Sequence, residues 1–354
     1  MVAFVISIFH PEKSSVYKLI ILILCYTSLI YCAVFDLNMV SERKYFLSSE
    51  IRPLAERSNL MGFLLVLHCY ATIGFALILF SIWPNFFTFC VALMIIGSRQ
   101  LGLAILMHDA AHRALFANTT LNEKIGLWVC GCPILADLFS YRHYHLMHHK
   151  HTQTDKDPDR VLSKPFPVTH QSLYRKFFRD ITGQTGFKAV FKQVINSFKL
   201  AFDRDAIDSS QEQAQTFKSN SLLQPLISNT FIFIIMWYFG EWWWWFAFWF
   251  LPLITWFQVV VRLRNIAEHA ATEFSTNELQ NVRTTYASPI MRLFLAPYWV
   301  NYHLEHHLIM HVPCWRLPKV HALMLKKGYA EKMKLAKNYI EVLREVTKKS
   351  PSPT

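Results

Sequence analysis

Residues 142–155 read RHYHLMHHKHTQTD, and five of the nine residues from His143 to His151 are histidine. Spacing sorts them. Residues three and four apart share one face of a helix. At about 100° per residue, His145, His148 and His149 fall within an arc of about 100°. His143 points to the opposite side and His151 well off to a flank. Three imidazoles therefore converge, and the other two are expected behind them or at the surface.

The same phase recurs elsewhere. The chain has 16 histidines, and nine follow the pattern. His108 and His112 sit in HDAAH, and His145, His148 and His149 in HLMHH. His269 closes NIAEH one turn after Asn265, and His303, His306 and His307 sit in HLEHH. His10, His68, His143, His151, His170, His311 and His321 fall outside it.

The apolar segments bring these clusters together. The chain is 53% hydrophobic and 15% aromatic. Leu60–Trp83 runs 24 residues without Asp, Glu, Lys or Arg, Leu222–Gly240 runs 19 and Trp242–Val261 runs 20. Phe86–Met107 is interrupted only by Arg99 and Gln100. A bilayer core needs roughly 20 apolar residues in a helix. These four segments predict two transmembrane hairpins, with turns at Pro84-Asn85 and Gly240-Glu241. Tyr17–Phe35 is a possible extra N-terminal membrane helix that hydropathy alone leaves open. Ile125–Ala136 and Leu293–Val300 are too short to span and predict helices against the membrane or inside the protein. The tryptophans from Trp242 to Trp245 suit the headgroup level.

Charge orients the hairpins. The net charge is +12, and the basic residues crowd into 113–220 and the segment after Arg262. By the positive-inside tendency both turns point away from the cytosol. The charge thus reports topology and contact with anionic headgroups, and no nucleic-acid-binding motif accompanies it. Two crossings separate the second cluster from the third, so all four reach the cytosolic mouth of one bundle. The seven cysteines are scattered and read as buried thiols rather than a disulfide framework.

One ion takes roughly four to six ligands, so nine imidazoles suit two ions. Zn, Cu, Fe and Ni all accept imidazole. All-nitrogen ligation is unusual for hydrolysis and suits two irons that activate O2. Asp109, Asp155, Asp157, Asp159, Glu268 and Glu305 lie near the clusters and are candidates to orient ligating rings. Glu305 points away from the ligand face of its own helix, either to a histidine of another helix or to a surface lysine.

The four motifs together resemble the membrane fatty acid desaturase superfamily, the all-histidine di-iron group that also contains hydroxylases. HHKHTQTDKDPD from His148, NYHLEHHLIMHVPCWRLPKVH from Asn301 and LKKGYAEKM from Leu325 resemble its bacterial, rhizobitoxine-desaturase-like branch. The resemblance covers roughly residues 60–345. It departs from front-end desaturases, whose last motif begins with Gln where His303 stands here.

The resemblance implies an all-α integral membrane protein with a cytosolic helical cap that holds a di-metal site. Residues 1–58 form an N-terminal region and 346–354 a tail. A desaturase domain over 59–345 joins hairpins 60–107 and 222–261 to a cap of 108–220 and 262–345. The implied ligands are His108, His112, His145, His148, His149, His269, His303, His306 and His307, with Asn265 reaching a metal through water. The implied chemistry is O2-dependent desaturation of a lipid acyl chain at two irons. The chain lacks the His-Pro-Gly-Gly haem segment of a fused cytochrome b5, so electrons come from a separate ferredoxin or cytochrome b5 type carrier. A bacterial inner membrane is expected over endoplasmic reticulum. Hydroxylation of an alkane, lipid or carotenoid, and desaturation of a non-fatty-acid substrate, stay open. Haem-based electron transfer is disfavoured, because only His68 lies deep in a span. Metal transport would need ionisable groups along the membrane interior, which apart from Arg99 is bare.

Overall fold

The structure, a computed structural model, describes residues 44–202 and 222–347. Tyr17–Phe35 and most of the tail lie outside them. The described chain is helical apart from two short strands, Thr284–Thr285 (β1) and Leu335–Ala336 (β2), which pair in parallel.

Helix α1 covers Asn59–Ile82 and helix α2 Phe86–Ala111. The Ser58 hydroxyl accepts from the Met61 amide and starts α1. Asn85 starts α2 by a reciprocal cap, accepting from Thr88 N at 3.0 Å while its own amide donates to the Thr88 hydroxyl. Pro84-Asn85 is thus the turn of the first hairpin. α1 buries Leu65, Cys69, Ile73 and Ala76 and turns Leu67, Phe75 and Ile78 outward, as a helix with lipid on one side does. Of the apolar windows, 72% of that in α2 is buried, against 28% in α1. α2 is therefore the central helix, and its last turn carries His108 and His112.

The polar interruption of α2 has a structural use. Arg99 is buried and donates to the carbonyls of Arg292 and Leu293 at 2.8 and 3.0 Å. Gln100 donates to the Trp249 carbonyl at 2.7 Å. Both satisfy backbone oxygens at the ends of helical turns, where a bilayer offers no water. They hold Pro289–Phe294 and the π-helical turn Phe246–Phe250 against the central helix. The short apolar stretch 125–136 is also buried: it runs as a helix, a π turn and a 3-10 turn that bury Leu127, Cys130 and Cys132.

Helix α3 covers Leu138–His151, capped by Asp137, which accepts from the Ser140 amide at 2.7 Å. Helices α4 (His170–Ile181) and α5 (Gln184–Phe202) follow. Gly183 turns α4 into α5 at a φ of 80°, the left-handed region that glycine enters at no steric cost. Tyr174, Phe178, Phe187 and Phe191 stay exposed beside Arg175, Arg179, Lys188 and Lys192. That pattern suits a helical pair lying in a membrane interface.

Helix α6 covers Leu223–Phe239, an apolar helix shorter than the other spans. After Gly240-Glu241 an apolar run extends from Phe246 to His269, ending in helix α7, Trp256–His269. The sequence places the end of this span at Val261, before Arg262, and the end of α2 at Met107. The structure carries both helices on, into the histidines themselves. Arginine does not stop α7 because each guanidinium has a carboxylate: Arg262 is paired with Asp180, and Arg264 with Glu268 at 2.7 Å. Helices α8 (His303–Leu308) and α9 (Leu317–Lys326) then close over the ends of α2, α3 and α7.

Candidate metal centre

All nine patterned histidines meet at one end of the bundle. They form two groups, and within each the candidate ligand atoms lie within 4.8 Å of one another. The first holds His108, His112, His145, His149 and His306, and the second His148, His269, His303 and His307. The arc on α3 is therefore shared. The i,i+4 pair His145 and His149 faces the first group, and His148, three residues from His145, faces the second. On α8 the assignment is reversed: His303 and His307 join the second group and His306 the first.

The nitrogens crowd in a way that hydrogen bonding does not explain. His149 Nε2 lies 3.0 Å from the Nε2 atoms of both His145 and His306. His303 Nε2 lies 2.9 Å from that of His269 and 3.1 Å from that of His307. One ring proton cannot serve several acceptors at once. Two nitrogens each about 2.1 Å from one ion, at right angles, would stand about 3 Å apart. Both ring nitrogens of His108 and both of His112 are buried with no hydrogen-bond partner among the described residues. Buried polar groups are normally satisfied, so these residues fit cation ligation better than packing.

The rear atoms fix the rings. His148 Nδ1 lies 2.8 Å from Asp157 Oδ1, a contact that directs Nε2 into the second group. Asp157 is itself held by the amides of Gln153 and Asp159, each at 2.8 Å. The Thr152 hydroxyl lies 3.3 Å from His307 Nδ1. Tyr144 donates to Asp159 at 2.6 Å.

The other carboxylates divide. Asp109 accepts from the Cys314 amide at 2.8 Å and so ties α2 to the segment before α9. Glu268 pairs with Arg264, and its second oxygen lies 3.3 Å from His303 Nε2. Asp155 is at the surface with Arg160. Glu305 is fully buried and takes the histidine of another helix, not a lysine: His321 Nδ1 lies 2.6 Å away, and Thr284 donates at 2.5 Å. His321 Nε2 in turn meets the Tyr286 hydroxyl at 2.9 Å. Sequence reading set His321 aside because its partner lies 16 residues away, beyond any single-helix spacing. His143 is exposed, and His151 is partly so. Asn265, one turn before His269, lines a cavity on the flank of α7.

Burial dominates the titration of the rings. It pushes His112 down to about 3, with Arg142 and His311 adding to it. Burial and neighbouring imidazoles hold His145, His149, His306 and His307 well below the ordinary value. His148 is the exception: burial would lower it, but the Asp157 carboxylate outweighs that and raises it. Neutral rings with free lone pairs are the state that ligates a metal.

The same shifts set the acid stability of the metal-free protein. Between about 3 and 6.5 the unfolded chain protonates His112 and the native chain does not. Its contribution is therefore whole above 6.5 and is lost as pH falls through that window. The other lowered rings act alike. The His148 contribution has the opposite sign, present below the unfolded value and lost as pH rises through the folded one. With several lowered rings against one, the melting temperature of apo-protein should be level above about pH 7 and fall below about pH 6. A melting temperature that rose on acidification would contradict this charge assignment.

Apolar spans with two buried imidazole clusters at their common end define a class of membrane-bound oxidoreductase. A family model, Fatty acid desaturase, matches residues 81–338, and the chain belongs to that family. It is 27% identical to a dihydrorhizobitoxine desaturase of Bradyrhizobium elkanii over 301 residues, 80% of each chain. It is 24% identical to an sn-1 oleoyl-lipid 12-desaturase of a Picosynechococcus species over 314 residues, 84% of each chain. A beta-carotene ketolase of a Paracoccus species is 24% identical over 225 residues, 62% of this chain and 74% of that one.

Proposed function

We propose that the protein is an O2-dependent di-iron desaturase that introduces a double bond into a lipid acyl chain, with electrons from a separate ferredoxin or cytochrome b5 type carrier. The observation that carries this reading is the division of nine imidazoles, six buried and three partly buried, into groups of five and four at the end of an apolar bundle. Two irons bound there would supply the reduction of O2 that drives removal of hydrogen from an unactivated C–H bond. The balance is one CH2–CH2 unit, O2, two electrons and two protons giving CH=CH and two waters.

The chain's own residues do the rest. The first group would hold one iron and the second the other, with Asn265 near the second through water. Asp157 sets the ring of His148. Glu268 offsets buried positive charge and is itself neutralised by Arg264. The packed ends of α2, α3 and α8 keep bulk water from the rings. A flexible hydrocarbon offers no polar handle, so the reacting carbon must be placed by the shape of an apolar cavity and by an anchor at its mouth.

The desaturase domain is assigned to residues 59–345, with a bacterial inner membrane as its setting. Lipid profiling by mass spectrometry, after expression in a host lacking desaturases, tests the substrate. Loss of two hydrogens from an acyl chain supports the reading, and gain of one oxygen would make the enzyme a hydroxylase. Unchanged lipids in the presence of a competent carrier would overturn the lipid assignment. Similarity to the dihydrorhizobitoxine enzyme then favours a non-fatty-acid desaturation.

A further inference from the structure

A cavity of about 410 Å³ lies between α7 and the α4–α5 hairpin. Its size falls in the range of small-molecule sites, and its wall is largely apolar, with Leu135, Val190, Phe257 and Ile266 among the lining residues. Three polar groups matter on that wall: Lys176, Arg262 and Asn265. Gly186 closes one side, since a Cβ there would meet the Ile254 backbone at 2.4 Å. The exposed aromatics of α4 and α5 put the cavity at the level where a membrane surface would lie.

The charges on this wall do not balance. The guanidinium of Arg262 is committed to Asp180, which also accepts the Thr185 hydroxyl at 2.6 Å. Lys176 is half-buried, and among the described residues no acceptor lies within bonding distance of its ammonium. Burial lowers its pKa, Arg262 and Arg179 add to that, and Asp180 alone opposes. An ammonium on an apolar wall with no acceptor of its own is suited to pair with an anion that enters the cavity. The Asn265 side chain, also on this wall, makes no hydrogen bond among the described residues. It stands one helical turn from His269, about 6 Å along the axis.

We infer that this cavity binds the polar end of the substrate, an anionic group on an apolar body, with Lys176 as its counter-ion. The inference rests on the reading above that the two clusters are the reaction centre, and it adds a specificity-determining residue to it. A carboxylate and a phosphate share the required chemistry. A neutral head would leave the Lys176 ammonium uncompensated.

The test uses purified full-length protein with its metals, and tritiated oleate, 1-oleoyl-lysophosphatidate and oleyl alcohol as probes. Lys176→Gln should weaken oleate or lysophosphatidate binding about tenfold or more, the size of one charge-assisted hydrogen bond, and leave oleyl alcohol unchanged. Lys176→Arg should restore most of the loss. Ala189→Trp, which fills the cavity from α5, should weaken all three. The anion that binds tighter identifies the source of the head. Equal binding of both anions to wild type and Lys176→Gln would overturn the inference, and so would an equal loss for oleyl alcohol. Metal content and cellular lipid profiles are measured separately on the same variants. Wild type that binds anions through Lys176 but leaves lipids unchanged would refute the lipid reading and keep this one.

Discussion

The purified chain should carry about two irons, and replacing His148 with alanine should reduce them to about one and abolish turnover. The second group has four imidazoles, and His148 is the member braced from behind by Asp157. Removing it takes away one of four donors and leaves the Asp157 carboxylate without the ring it orients, so the hold on the second ion should fail. The first group keeps all five of its rings, because His148 is no part of it. His143→Ala, five residues away and exposed, should keep both ions. Asp157→Asn falls between. It keeps a hydrogen-bonding atom but loses the charge, and metal affinity should drop about 10–100-fold. Metal content by inductively coupled plasma mass spectrometry, with circular dichroism to confirm folding, reads all three. Two ions in folded His148→Ala protein would remove His148 from the site.

The histidine clusters were legible because a helix converts spacing into direction. HLMHH and HLEHH need only a 100° step per residue to aim their rings together. Their division into two groups was not legible. It depends on how α3 and α8 are rotated against α2 and α7, which no single-helix pattern contains. The hairpin turns could be read from Pro84-Asn85 and Gly240-Glu241. The ends of α2 and α7 could not, because Arg262 and Arg264 look like membrane boundaries until Asp180 and Glu268 are seen beside them. Arg99 likewise reads as an interruption, and becomes a clamp only when the carbonyls of Arg292 and Leu293 arrive from 193 and 194 residues away. The same holds for His321 and Glu305. Distant pairs are set by tertiary packing, and that is where reading from periodicity stops.

The sidedness of the chain should appear as an all-or-none labelling difference. The clusters meet only if the segments that follow α2 and α7 leave the membrane on one side, which sends both hairpin turns to the other. By the positive-inside tendency, the Lys and Arg of 113–220 should put the histidine side in the cytosol, where the proposed reaction would find its reducing equivalents. Four of the five described cysteines are buried and need no replacement, so Cys25, Cys32 and Cys90 are changed to serine. Single cysteines are then placed at Phe86, which is 82% exposed beside the first turn, and at Glu241 in the second. Phe86 is preferred to Asn85 because Asn85 caps α2, and losing a cap costs about 1 kcal/mol. Lys164 and Lys337, both exposed, report the opposite side. In intact cells an impermeant maleimide should label the first pair almost completely and the second pair only after the membrane is opened. Labelling of Phe86 and Lys164 positions from the same side would break the first hairpin. The nine imidazoles could not then reach one another across the bilayer, and the metal centre would fall with the topology.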